Sequence, residues 1–252
     1  MEQMRKPFQG VLNIIRFNWH FYIIALGLIL TVFFTSNYFE KSIQQLAFVI
    51  CSIVFISTII SLSVSLYIYD ISELYNLNWI NQNNKENLIV NINAGFDETS
   101  HLLKAKFKNI EFVALDFYNP EKHTEVSIKR ARKAYPPFPN TKQVETSNLK
   151  LDYNSADKVF VILSAHEIRN EIERIKFFKE LYKIIKPTGE IYVTEHLRDF
   201  PNFLAYNLGF FHFYSKGAWL KIFKNADFTI KQEIKITPFI STFILNKNGN
   251  TF

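Results

Sequence analysis

The residues able to do chemistry gather in two short stretches of this 252-residue chain. His166 and Glu167 follow the apolar run 159–163, and Glu195, His196, Arg198 and Asp199 follow a second run at 191–194. An imidazole titrates near neutrality and can take a proton from a phenol or an enolic carbon. His166 and His196, with Glu195 beside them, are therefore the candidate catalytic groups. Arg198 is a candidate for holding substrate, although with Asp199 it also reads as an ion pair within a loop. His212 lies in the aromatic patch Phe210-Phe-His-Phe-Tyr214, which suits either the wall of an apolar acceptor pocket or an aromatic core. A zinc site drawn from His166, Glu195, His196 and His212 lacks any close ligand pair of recognised spacing, so no metal is assigned.

These groups need elements to position them. The runs 159–163 and 191–194 read as strands, the first a short unbroken apolar run as expected of a central parallel strand. Between them Ile172, Ile175, Phe178, Tyr182 and Ile185 recur at spacings of three or four. Glu173, Arg174, Lys176, Lys179, Glu180 and Lys183 fill the other face, giving an amphipathic crossover helix. Lys186-Pro-Thr-Gly189 then reads as a turn. Upstream, strands at 88–92 and 110–115, the second closed by Asp116, flank the turn 93–97 and a helix beginning near Thr99. Residues 121–135 read as a helix whose Lys129, Arg130, Arg132 and Lys133 form a solvated face, and 142–146 as a weak strand. A helix at 215–225 and strands at 228–236 and 239–246 complete the chain. Strands and helices that alternate and end in a strand pair predict an α/β fold with a doubly wound, Rossmann-like sheet of seven strands. Ligands bind past the carboxyl ends of strands in such a sheet. The loop after the first strand and the acid ending the second would then form a nucleoside site.

The N-terminal quarter has a different composition. Residues 17–39 and 42–69 contain no Asp, Glu, Lys or Arg, and each run exceeds the ~20 residues a helix needs to cross the hydrocarbon core. They read as a transmembrane helical hairpin. A cleaved signal fits poorly, because the first apolar part is long and a second span follows at once. Arg5, Lys6 and Arg16 precede the hairpin, so the positive-inside rule places the tail 1–16 and everything from 70 to 252 in the cytoplasm. Residues 70–81 read as an amphipathic helix at the membrane exit, and 81–87 as a polar domain boundary. The single cysteine excludes a disulfide framework, and the formal charge of +6 is read as solvated helix faces rather than a nucleic-acid footprint.

The segment Leu149-Lys-Leu-Asp-Tyr-Asn-Ser-Ala-Asp157, running into 159–163, resembles the Leu-Pro-Phe-Pro-Asp-Asn-Ser-Phe-Asp segment of class I S-adenosylmethionine-dependent methyltransferases of the ubiquinone/menaquinone C-methyltransferase type. Lys186-Pro-Thr-Gly189 resembles that family's Lys-Pro-Gly-Gly turn, and the resemblance covers roughly residues 71–247. It implies S-adenosylmethionine as cofactor, with Asp116 on the ribose hydroxyls and Glu145 near the adenine amine. A carboxylate suits both roles, since it accepts two hydrogen bonds. The family's loop, Asp-x-Gly-x-Gly-x-Gly, is represented by Asn91, Asn93, Gly95 and Asp97, so one glycine of three survives. Asn93 tolerates a left-handed turn. Asp97 reads either as a helix cap or as a partner for the methionine ammonium.

Two functions follow as expectations. One is a membrane-anchored methyltransferase acting on a lipophilic acceptor such as a quinone, polyene or aromatic lipid, with the bilayer as a partner and room for a partner protein. The other is a non-catalytic, membrane-tethered binding or scaffold protein with a degenerate cofactor loop.

Overall fold

The computed structural model describes residues 5–83, 85–123 and 125–248. The first four residues of the expected basic tail, Asn84 in the expected boundary, Thr124 in an expected helix and the last four residues of the domain lie outside these.

Along the central strands, odd and even positions pack against different layers. In β1 (Leu88–Asn93), β4 (Ala156–Ile162), β5 (Ile185–His196) and β7 (Ile240–Lys247), the residues Val90, Val159, Val161, Ile191, Val193, Phe243 and Leu245 belong to one core. Ile89, Phe160, Ile162, Tyr192 and Ile244 belong to the other. Both sets are buried, as expected of a sheet covered on both faces. With β2 (Glu111–Asp116), β3 (Lys142–Gln143) and β6 (Phe228–Thr237), the sheet has seven strands in the order β3-β2-β1-β4-β5-β7-β6. The first five run parallel and β7 is antiparallel to both neighbours. This is the doubly wound, Rossmann-like sheet of seven strands expected from the sequence.

The first core is closed by α6 (Glu171–Ile184) and α8 (Lys216–Asn225), with Phe177, Phe178, Leu181, Trp219 and Phe223 buried. The buried face of α6 is rotated from the expected one. Ile172 is 67% exposed, while Arg174 is 3% exposed, stacked 3.8 Å over Tyr214 and donating to the carbonyl of Ile168. Arg buries because its flat guanidinium finds both a ring and an acceptor. The second core takes Leu103 and Phe107 from α4 (Ser100–Lys106), together with Leu77 and Ile80.

Other expectations are corrected by local hydrogen bonding. Residues 72–80 are turns rather than an exit helix. Ser72 Oγ donates to Ile68 O and accepts from Leu74 N, and Leu77 takes φ 56°. The helix expected over 121–135 is confined to α5 (Val126–Ala134). The third strand stops at Gln143, and Glu145 instead bridges Asn148. Lys186-Pro-Thr-Gly189 is a bulge inside β5, where pairing jumps from Ala156–Ile185 to Lys158–Glu190. A Cβ on Gly189 would come within 2.8 Å of Asp157 O, so this crossing requires glycine.

Two helices, α2 (Trp19–Thr35) and α3 (Lys41–Leu66), cover the apolar runs. With the turns that extend them they span 20 and 31 residues, long and apolar enough to cross a membrane. Large side chains such as Phe21, Leu28, Phe34, Leu46 and Phe55 lie exposed along them. A π-helical turn, Tyr67–Ile71, carries α3 into the domain, with Ile68 buried.

Residues 9–16 of the expected tail are helical. They form α1 (Gln9–Phe17), docked on the domain by side chains from three directions. Asp70 accepts from the N–H groups of Gly10 and Val11 at 2.7 and 2.8 Å. Glu98 accepts from Arg5, Asn13 and Tyr75. Tyr135 donates to Asn13 Oδ1, and Phe17 packs edge-on against Phe96. Asp70→Ala removes both acceptors at the start of α1 and should cost about 1–2 kcal/mol of local stability. Faster proteolysis within residues 5–18, with the sheet still protected in hydrogen exchange, is the expected readout. Unchanged cleavage would show that Glu98 and Phe17 hold α1 without the cap.

Candidate active site

At the carboxyl ends of β1, β4 and β5 lies a cavity of about 240 Å³, roofed by α1. Gly10, Asn13, Ile14 and Phe17 form the roof, Asn93, Phe96 and Thr99 one wall, and Leu163, Phe213 and Ile128 the apolar remainder. Its polar end is built from His166, Glu167, His196 and His212. The chain turns sharply after β4, with Leu163 at φ 51°, and Ser164 donates to Ile92 O at 2.9 Å. This aims the short 3-10 helix Ala165–Glu167 at the cavity.

Glu195, fully buried on β5, receives His166 Nδ1 at 2.6 Å and the His166 backbone N–H at 3.2 Å. His166 Nε2 faces Glu167 Oε1 at 3.1 Å. Burial works against charge on this ring, but the Glu195 and Glu167 carboxylates outweigh it and lift His166 to about 10. His166 is thus an imidazolium at neutral pH in this arrangement. The charge these two acids keep on the ring opposes the general-base role expected for it. Burial likewise opposes charge on Glu167, yet His166 and His212 hold it well below the usual carboxylate range. His212 is raised as well, its burial outweighed by Glu125 and Glu167.

His196 does not join this cluster. It hydrogen-bonds Tyr69 Oη at 2.8 Å and Asn202 Oδ1 at 3.0 Å and stacks on Phe213, and burial lowers it to about 4. Arg198 does not reach the cavity either. It donates to Phe211 O and Phe213 O, so it shapes the loop that carries His212. Asp199 caps α7 (Phe200–Tyr206) through Asn202 N and lies 3.7 Å from Lys235, so the expected Arg198–Asp199 pair does not form.

The residues expected to hold a nucleoside sit beside a neighbouring hollow of about 770 Å³, lined by Tyr118, Gln143, Glu145 and Arg132. Gly95 takes φ +97°, which only glycine adopts without strain. Asn93 holds the turn by accepting from Gly95 N and donating to Leu115 O. Asp97 accepts from Thr99 N and Ser100 N and so caps α4, while Asn91 donates to Asp97, Thr99 and Ser100. Asp97 Oδ2 and Asn91 Oδ1 are buried without a protein partner. Asp116, the expected ribose ligand, accepts from Tyr118 N at 2.8 Å and is paired with Arg132 at 2.5 Å. Arg132 therefore stands between Asp116 and the hollow. The acids and the turn fit a nucleoside once Arg132 swings away, and that long side chain is already partly exposed.

No family model matches the sequence, and no curated protein matches it. Solved structures of similar fold include a SAM-dependent methyltransferase from Aquifex aeolicus (15% identity, 63% of this chain and 80% of that one, TM-score 0.44). A protein from Pyrococcus horikoshii OT3 gives 17% identity over 77% of this chain and 92% of its own, at TM-score 0.48. PigF, solved with SAH, gives 11% identity over 69% and 60%, at TM-score 0.49. The likeness is one of fold.

Three contributors escaped the sequence reading. Glu125 accepts from His212 Nδ1 at 2.9 Å, Arg132 covers Asp116, and α1 roofs the cavity. Arg130 and Arg132, expected on a solvated face, reach the Phe17 carbonyl and Asp116. The excess of basic residues on one short helix was a signal, but it carried no address.

Proposed function

We propose that the chain is a membrane-anchored, S-adenosylmethionine-dependent methyltransferase acting on a lipophilic acceptor, with its domain on the cytoplasmic side. The observation that carries this reading is a continuity of space. A groove between α2 and α3, lined by Phe21, Tyr22, Ala25, Ser57, Ser61 and Ser65, shares Ile14, Asn18, Tyr69, Glu125, His212 and Phe213 with the cavity or its rim. An apolar tail lying between the helices would place an oxygen-bearing head against His166, Glu167 and His212. The cofactor, bound across Asp116, Glu145 and the Asn93–Gly95 turn, would supply an electrophilic methyl group. Asn93 and Phe96 line the cavity at that end, and α1 excludes water above it.

The Arg132–Asp116 pair, added to the loss of two loop glycines at Asn93 and Asp97, favours a non-catalytic binding protein. Titration calorimetry of S-adenosylmethionine into detergent-solubilised protein separates the readings. Asp116→Ala should weaken binding about tenfold, the scale of a lost hydrogen bond to a charged group. Arg132→Ala should strengthen it severalfold by freeing Asp116. Wild type and Arg132→Ala that both bind nothing would leave the non-catalytic reading. For the anchor, the chain should stay with membranes through alkaline washing, and its domain should be cut by protease only from the cytoplasmic side. Release by carbonate would sink the hairpin.

A further inference from the structure

We infer that His166, Glu167 and His212 form a binding site for a divalent transition-metal ion, with zinc the best match to the ligands. One ligand atom from each lies within 4.8 Å of the others. Glu167 Oε1 is 3.1 Å from His166 Nε2 and 3.5 Å from His212 Nε2. Zinc bound at ~2.0–2.1 Å in a tetrahedron sets its ligand atoms about 3.3 Å apart, so the two Glu167 distances already fit and the two imidazoles must close on the ion. Two imidazoles and a carboxylate are a borderline donor set, suited to zinc and its neighbours rather than to magnesium or calcium.

The second, independent observation lies behind the ligands. The far nitrogen of each histidine faces a second carboxylate: His166 Nδ1 is 2.6 Å from Glu195 Oε2, and His212 Nδ1 is 2.9 Å from Glu125 Oε1, which Arg169 also contacts at 3.2 Å. Such a partner at His166 holds the proton on Nδ1 and orients the ring, so that an ion displacing the Nε2 proton would meet a lone pair there. Three carboxylates gather around two imidazoles here, and Arg169 supplies positive charge at one corner, its Nη2 lying 2.5 Å from His212 Nδ1 and 2.6 Å from Nε2. The ion would displace that guanidinium. Three protein ligands leave a coordination position open toward the cavity, the arrangement of catalytic rather than closed structural zinc. Its role there, polarising an oxygen on the acceptor's head, rests on the methyltransferase reading. The site itself does not.

The test uses the full chain in detergent, stripped with a chelator and titrated with Zn²⁺ by calorimetry and with Co²⁺ by visible absorption. No cofactor or acceptor is present, so the outcome is independent of methyl transfer. One equivalent of Zn²⁺ should bind, and Co²⁺ should give the intense visible bands of a low-symmetry site. His166→Ala and His212→Ala should weaken Zn²⁺ about 100-fold or more. Glu195→Gln should weaken it about 10–100-fold, the usual effect of losing an outer carboxylate. His101→Ala, an exposed histidine elsewhere, should change nothing. Glu167→Gln keeps the shape of the site and guards against a folding artefact. Failure of folded wild type to take up either ion would overturn the site, as would Zn²⁺ affinity unchanged in His166→Ala and His212→Ala. A chain that binds zinc yet never binds S-adenosylmethionine would overturn the proposed function and leave the site standing.

Discussion

Ser61→Trp should stop methylation of a membrane-resident acceptor while leaving a tail-less one a substrate. Ser61 lines the groove between α2 and α3, where an indole would fill the space an apolar tail needs. A pocket discriminates by roughly 10–200-fold for a single methylene, so a whole ring in the groove should cost about 100-fold or more. The groove opens on the side where α2 begins and α3 ends, next to the domain, so blocking it leaves the cavity's polar end intact. Leu26→Trp is the control, because Leu26 is 57% exposed and outside the groove lining. The assay follows labelled methyl from S-adenosylmethionine into a membrane lipid extract and into a short hydroquinone. Equal loss on both acceptors would point to a misfolded variant or a wrong entry route. No loss on either would show that the acceptor never uses the groove.

The chain should also lose roughly 2–3 kcal/mol of stability between pH 7 and pH 4.5, through His196. Its folded pKa is about 4 against an ordinary value of 6.5, because the neutral ring is buried between Tyr69, Asn202 and Phe213. A lowered histidine binds fewer protons folded than unfolded, so stability is complete above 6.5 and falls as pH drops toward 4. His123, also lowered, acts in the same direction. His166 is raised, so its contribution is complete below 6.5 and is lost only as pH rises toward 10. Glu167 is lowered from 4.5 and adds acid sensitivity only below that value. The window from 6.5 to 4.5 therefore reports mainly His196, and for a chain of this size the loss corresponds to roughly 5–10 °C in Tm. His196→Gln can accept from Tyr69 without titrating and should flatten the slope. An equally steep fall in that variant would place the acid sensitivity elsewhere.

The sheet was legible because its evidence is local. Unbroken apolar runs at 159–163 and 191–194 can only be covered strands in a chain with helices between them, and Asp116 closing its run marked a strand end. The candidate site was legible only where it lay next to those ends. His166 and Glu195 were found together because β4 and β5 are neighbours, and the structure brings them to 2.6 Å. His212 was found for its aromatic surroundings. Its approach to Glu167 depends on a 3-10 turn at Asn207–His212 that Arg198 ties down, and no periodicity announces that contact. Residues 9–16 were read as a tail because a nine-residue helix is marginal alone. Asp70 and Glu98, distant in sequence, make it a roof. The face of α6 was misassigned because hydropathy counts Arg174 as polar, whereas its stack on Tyr214 lets it replace Ile172 inside.

The π-helical turn Tyr67–Ile71 has a mechanical meaning. Three successive residues of the five are held by the rest of the molecule: Ile68 packs into a core, Tyr69 meets His196, and Asp70 grips α1. A helix joined to a sheet in this way is a strut rather than a tether. If α3 stands in a bilayer, the mouth of the cavity is held at one height and one orientation above it. The domain then cannot sweep the aqueous volume for soluble molecules, and its encounters reduce to a search in two dimensions for what drifts past between the helices. Inserting a few glycines between Leu66 and Tyr67 would leave Ile68, Tyr69 and Asp70 docked and still uncouple α3 from the sheet.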